Sequence, residues 1–275
     1  VLNYILLIIL ATISHFLKTD FFSNLRSIAI IGQLTAKGHL VLKKKRVNGV
    51  IIFSLNPIFI SGSIFKNKLR RKEMKVLVTG GTHGMGKGVA KVLAGIDNQN
   101  HEIILLGRSK ELGEAAIKEL ESSTMNKNIS FVLCDLSRLS DVRQAVSEIK
   151  SKHDYLDCIF INAGLGYAAK RVETEDGMDS HFQVNYLSQY MLTLNLLNLL
   201  ENSQNGGRVI FNVTRGGKIF WDDIQMTQNW NYELGIHQAM VAKRMFLVKL
   251  HDLYRGINAP KVSFIGFEIS KTVWS

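Results

Sequence analysis

The chain has 275 residues, enough to bury a sizeable core in one large or two small domains. Its formal net charge of +11 at pH 7 would suit nucleic acid or an anionic surface if it were spread evenly. It is not: residues 1 to 73 hold twelve Lys and Arg against two Asp and Glu, +10, whereas residues 74 to 275 hold twenty-two against twenty-one, +1. The main body therefore has no nucleic-acid-binding charge. Its two cysteines, Cys134 and Cys158, lie in apolar runs without metal-ligand or disulfide-framework spacing and are read as core thiols, with no metal site.

Residues 1 to 73 are expected to form an apolar and basic segment without a globular pattern. YILLIILATISHFL, residues 4 to 17, is short for a span of about 20 residues. VNGVIIFSLNPIFISGSIF, residues 47 to 65, has the length and no charge but is interrupted by Asn48, Asn56 and Pro57. KKKR at 43 to 46 and KNKLRRK at 66 to 72 flank it on both sides, so the positive-inside rule gives no orientation. Two readings stand side by side, a membrane anchor and a leader foreign to the working protein, which would then start at Met74.

From Lys75 onward short β-branched runs alternate with longer amphipathic stretches, the pattern of a parallel sheet with crossover helices. Strands are predicted at 75 to 79, 102 to 107, 129 to 134, 157 to 162, 207 to 213 and 261 to 267. Helices are predicted near 86 to 95, 110 to 121, 139 to 151, 178 to 201 and 238 to 254. The expected fold is α/β, a Rossmann-type doubly wound parallel sheet with helices on both faces, over residues 74 to 275.

TGGTHGMGKG, residues 79 to 88, falls at the first strand-to-helix turn, and the next strand ends about thirty residues on, the length of a βαβ unit. Gly80 permits the tight turn, Gly84 lets a pyrophosphate approach the backbone, and Gly86 allows close packing. The helix that starts there offers unpaired N–H groups and the positive end of its dipole to phosphate.

The spacing T-G-x-x-x-G-x-G from Thr79 to Gly86 resembles the short-chain dehydrogenase/reductase family. Further landmarks follow in order: Asp135 after the third strand, Asn162-Ala163-Gly164 after the fourth, Asn185 in FQVNYLSQYMLTL, and Lys243 opening KRMFLVKLHDL. EDGMDSHFQVNYL and RVIFNV are most similar to the retinol-dehydrogenase-like branch. The resemblance implies a dinucleotide held by Thr79, Gly80, Thr82, Gly84, Met85, Gly86, Asp135, Leu136, Asn162, Ala163, Gly164 and Lys243. It also implies a small carbonyl or alcohol substrate and a homo-oligomer. Where NAD enzymes place an acid after the second strand, this chain has Gly107-Arg108-Ser109-Lys110, so NADP(H) is expected ahead of NAD(H), with Arg108 pairing the 2′-phosphate, helped by Lys110 or Ser109.

The family's proton relay is incomplete in this sequence. The tyrosine position four residues before Lys243 is Ala239, and the catalytic serine position after the fifth strand is Arg215. The expected catalytic residues are thus Lys243, Asn185 and Thr214, the last either a weak donor or simply a strand-end residue. His237 would replace the tyrosine only if the helix began after it, and Tyr232 is out of phase. Asp222-Asp223 are read as solvated or capping. After the sixth strand only Thr272 matches the family pattern, and relatives continue further, so a C-terminal truncation is expected. The sequence therefore points to an impaired NADP(H)-dependent oxidoreductase, with a non-catalytic NADP(H)-binding sensor or scaffold as the alternative. Its expected location is the cytoplasm, or the cytoplasmic side of a membrane if residues 1 to 73 anchor it.

Overall fold

A computed structural model describes residues 73–96, 100–213, 217–255 and 261–268 with their side chains, and the strands at 31–32, 40–47 and 50–56 as backbone. Six parallel strands carry the main body: β1 (Lys75–Thr79), β2 (Glu102–Gly107), β3 (Ile129–Leu133), β4 (Cys158–Ile161), β5 (Gly207–Asn212) and β6 (Val262–Phe267). They lie in the order β6-β5-β4-β1-β2-β3. The strand order reverses between β1 and β4, the place where doubly wound sheets hold their ligands at the carboxyl ends of the strands.

The central strands are apolar along their whole length because both faces of the sheet are covered. Successive side chains of β1 alternate between two cores. Leu77 joins Ile104, Ile159 and Phe211 under α3 (Leu139–Lys152), α4 (Ser188–Glu201) and α5 (Tyr232–Arg255). Val76 and Val78 join Ile103, Leu105 and Phe160 under α1 (Gly84–Ala94) and α2 (Lys110–Thr124). Edge strand β3 instead mixes buried Ile129 and Val132 with exposed Ser130 and Leu133. Both cysteines are packed against these cores, and burial pushes each thiol up to about 12.

Two elements differ from the sequence expectation. The long helix expected over 178 to 201 is a single turn at Ser180–Phe182, a π-turn at Gln183–Leu187 and then α4. Helix α5 begins at Tyr232, a turn and a half earlier than its apolar periodicity indicates, because the Asn231 side chain caps it by accepting from the N–H groups of Glu233 (2.9 Å) and Leu234 (3.2 Å).

The front segment carries short strands as well. Leu40–Val47 and Val50–Asn56 pair antiparallel with Val47 opposite Val50, and Ile31–Gly32 runs parallel to β6 at the sheet edge. Asn48-Gly49 joins the pair, a dipeptide strongly favoured in two-residue hairpins between β-branched runs. Part of the apolar stretch 47 to 65 is therefore strand, while residues 4 to 17 and 57 to 65 lie outside the described residues. Among the described residues no helix is long and apolar enough to cross a membrane.

Candidate functional site

The ends of β1 and β4 are locked together by one hydroxyl. Thr79 Oγ1 donates to the Phe160 carbonyl (3.3 Å) and accepts from the N–H groups of Asn162 (2.9 Å) and Ala163 (3.0 Å). Gly80 then turns the chain with φ of +66°, and a Cβ on it would stand 3.1 Å from the Ala163 Cα. A Cβ on Gly86 would lie 2.2 Å from the Gly80 carbonyl oxygen and 2.9 Å from Asn162 Nδ2, closer than any side chain can stand. Gly84 is the opposite case: φ is +55°, and a Cβ there would meet nothing within 4 Å. The turn is thus closed toward β4 and open above the first turn of α1.

The remaining cofactor candidates lie in this turn, at the end of β2 and after β3. Thr82 is buried, approaches the Cβ position of Gly107 to 3.0 Å through its methyl, and shares a hydrogen bond with His83 Nδ1 (3.2 Å). Met85 packs on the core beside Val78. Arg108 is exposed at the carboxyl end of β2, beside the turn. Ser109 next to it caps α2, accepting from Leu112 N–H (3.2 Å) and donating to Glu111 (2.7 Å), so its hydroxyl is already engaged. Asp135 Oδ1 accepts from the backbone N–H (2.9 Å) and hydroxyl (2.8 Å) of Ser137, and the carbonyl of buried Leu136 accepts from Ser188 Oγ (2.6 Å).

The chain leaving β4 is held from the other side. Asn185 sits in the π-turn, a distortion frequent at functional sites. Its amide accepts from Leu165 N–H (2.6 Å) and donates to the Leu165 carbonyl (3.1 Å), and its Oδ1 lies 3.0 Å from the Cβ position of Gly164. Gln189 Nε2 donates to the carbonyls of Ala163 (2.6 Å) and Val184 (2.7 Å). His181 Nε2 bonds the Gly166 carbonyl (2.8 Å) while its buried Nδ1 has no partner; nor has the buried Oδ1 of Asn162. Nothing in the sequence signals His181, Gln189 or Gln238 as structural holders, since no motif spacing singles them out.

Helix α5 forms the last wall. Gly235, Ala239 and Lys243 are four residues apart on one face, and all three are buried. Lys243 is 2% exposed, with no carboxylate within ion-pair distance among the described residues, and burial pulls its amine from 10.5 down to about 7. Gln238 ties the loop before α5, accepting from Phe220 N–H (2.7 Å) and donating to the Ile224 carbonyl (2.9 Å).

This helix also places the two side chains weighed as stand-ins for the tyrosine. His237 lies inside α5, so the condition under which it could stand in for a tyrosine fails, and its Cβ stands 3.9 Å from the Cβ position of Gly217 instead. Tyr232 is the first residue of α5, with its hydroxyl on Glu233 (3.2 Å) and its ring edge-on to Tyr167. Asp223 caps its own loop, accepting from the N–H groups of Thr227, Gln228 and Asn229. Thr214, Arg215 and Thr272 lie outside the described residues. Among the described residues no three His, Cys, Asp or Glu side chains are grouped to hold a metal ion.

The model of the short chain dehydrogenase family matches residues 74–221. Polyprenol dehydrogenase of Danio rerio is 34% identical over 188 residues, which cover 66% of this chain and 57% of that protein. Retinol dehydrogenase 13 of Homo sapiens is 29% identical over 203 residues, 72% of this chain and 60% of that protein. The chain thus spans less than two thirds of the length of these curated relatives. Among solved structures, a short chain dehydrogenase of Escherichia coli CFT073 complexed with NADPH superposes with a TM-score of 0.54 at 23% identity, covering 72% of this chain and 77% of that one. An alcohol dehydrogenase of Thermococcus sibiricus complexed with 5-hydroxy-NADP gives a TM-score of 0.54 at 21% identity, covering 71% and 75%.

Proposed function

Because the chain belongs to the short chain dehydrogenase family, we propose that it binds NADP(H) over the β1 turn and exchanges a hydride with a carbonyl or alcohol substrate, slowly for want of the usual hydroxyl acid. The observation that carries this reading is the contrast within the turn: a Cβ would collide at Gly86 and Gly80, whereas Gly84 opens onto empty space at a helix N-terminus. A phosphate-bearing ligand fits that shape, and the unpartnered Oδ1 of Asn162 leaves an acceptor for one of its hydroxyls.

In this reading the backbone from Thr79 to Gly86 holds the pyrophosphate, and Arg108 pairs the 2′-phosphate in bidentate fashion. Asp135 and Leu136 flank the adenine, while Asn162, Ala163, Gly164 and Lys243 receive the nicotinamide half. When bound in its reduced form, the cofactor supplies the hydride. Asn185 keeps the chain after β4 in place through Leu165. The relatives named for polyprenol and retinol suggest an apolar alcohol or its aldehyde as substrate. Ala239 favours a second reading, in which the same cradle serves a sensor or scaffold that binds NADP(H) without turning it over.

Calorimetric titration of the full chain tests the cofactor. NADPH should bind more tightly than NADH, and Arg108→Ala should weaken NADPH by about 1.5 to 3 kcal/mol, the scale of a charge-assisted hydrogen bond, with NADH nearly unchanged. Equal losses for both would remove the specificity. Binding of neither would overturn the reading.

A further inference from the structure

We propose that Lys243 is itself the proton donor and acceptor of this site, doing directly what a hydroxyl at position 239 would otherwise do. The proposal rests on the reading above for the place of the substrate, and on the geometry of α5 for the rest. Gly235, Ala239 and Lys243 form one buried stripe, and the Cβ position of Gly235 stands 3.8 Å from the His181 side chain. The stripe therefore faces the segment that carries Asn185. Helical side chains lean toward the N-terminus of their helix, so the lysine stem leans toward the methyl of Ala239, one turn away, where the stripe carries no hydroxyl. Along that path the helix itself presents no other polar side chain.

The charge of Lys243 is set without a counter-ion. His181 and Tyr186 are the titratable groups on the turn and π-turn packed against α5; β6 brings none, and Glu268 follows it. On α5 itself the nearest are His237 and Arg244. None enters the balance, and desolvation alone brings the amine down to about 7. A group that is half protonated near neutral pH works as acid in one direction and base in the other. Buried lysines with lowered pKa are a recurrent source of such bases.

The step balances as follows. The carbonyl carbon takes the hydride with its electron pair, and the C=O π pair moves onto oxygen. That oxygen forms an O–H bond as one N–H bond of the Lys243 ammonium breaks, and the neutral amine regains a proton from water. The substrate is reduced to the alcohol and the nicotinamide is oxidised.

Three measurements on the full chain test it. In thermal unfolding across pH, a folded pKa below the unfolded 10.5 means that the unfolded state binds the extra proton. Stability of the parent relative to Lys243→Met should therefore rise from about pH 7 toward 10.5 and be level below about 7. With NADPH and 4-nitrobenzaldehyde, the parent rate should fall as pH rises through about 7, and Lys243→Arg, charged throughout, should lose that inflection. Methylamine should restore turnover to Lys243→Ala by at least about tenfold, the low end of general acid catalysis falling near 10². A rate profile that keeps its inflection in Lys243→Arg and Lys243→Met, or NADPH binding with no turnover, overturns the donor role while leaving the cofactor reading intact. Failure to bind NADPH in a separate titration removes the reading and the proposal together.

Discussion

At the ends of β1 and β4 almost every constraint acts on the backbone: Gly80 and Gly86 have no room for a Cβ, and Thr79 ties three main-chain groups across two strands. On α5 the corresponding constraints are single side chains, Ala239 and Lys243, both buried on one face of the helix. A backbone cradle is coupled to the fold, so losing it loses the sheet ends as well. A side-chain wall can change one residue at a time at the cost of local packing alone. The comparison explains how a chain can keep the glycine turn of its family while position 239 carries no hydroxyl.

The sharpest way to break this comparison is Gly86→Ala. The new methyl would lie 2.2 Å from the Gly80 carbonyl oxygen, a backbone atom that cannot swing aside. Overpacking of this kind costs about 1 to 3 kcal/mol, and here it also displaces the turn over which the phosphates would lie. NADPH binding should fall below detection in calorimetry, with a lowered melting temperature. Gly84→Ala meets no atom and carries only the strain of φ +55°, about 1 kcal/mol, so it should leave the melting temperature closer to the parent. If the two substitutions behave alike, the cradle is not the close-packed device described.

How much of this was legible follows the same division. The six strands stand within a residue or so of their predicted ends because a doubly covered parallel sheet writes itself as apolar β-branched runs. The glycines were legible too, since the left-handed backbone at Gly80 and Gly84, φ +66° and +55°, favours glycine over residues that carry a Cβ. The π-turn at Gln183–Leu187 was not, because one extra residue in a helix leaves apolar periodicity almost unchanged. The early start of α5 was legible in principle through Asn231, but NYELGIHQ has no apolar stripe to announce a helix. The pairing of 40–47 with 50–56 was not legible, because hydropathy reads a strand of Val, Ile and Phe and a membrane segment alike.

The next test sharpens the comparison from the side of the wall. Ala239→Tyr together with Arg215→Ser restores both hydroxyl positions of the family pattern. Reduction of 4-nitrobenzaldehyde by NADPH should rise by about tenfold or more, since a positioned acid contributes about 10² to 10⁴ and Lys243 already supplies part of it. NADPH affinity should be unchanged, because the cradle is untouched. Position 239 is fully buried, so the ring also brings about 1 to 3 kcal/mol of overpacking, visible as a lower melting temperature. A drop in NADPH affinity equal to the change in rate would mean that cradle and wall are one unit after all.

The smallest expected effect lies at Gly235, three residues into α5 and one turn above Ala239. A glycine inside a helix is less stable there than alanine by about 0.5 to 1 kcal/mol, chiefly because the unfolded chain has more freedom to lose. No steric reason holds glycine at this place: a Cβ would meet His181 at 3.8 to 3.9 Å, ordinary van der Waals contact. Gly235→Ala should therefore raise stability by about 0.5 to 1 kcal/mol, measured by urea denaturation at unchanged m-value. Gly235→Ser places a hydroxyl beside the unpartnered Nδ1 of His181, whose Cβ-to-nitrogen distance of 3.9 Å leaves room for an O–H···N bond. A neutral hydrogen bond to a buried acceptor contributes about 0.5 to 1.5 kcal/mol, enough to offset the lower helix propensity of serine. Serine should thus match or exceed alanine. If alanine destabilises the protein, the bare position is needed for the native packing of α5 on the turn before the π-turn, and the wall is under backbone constraint just as the cradle is.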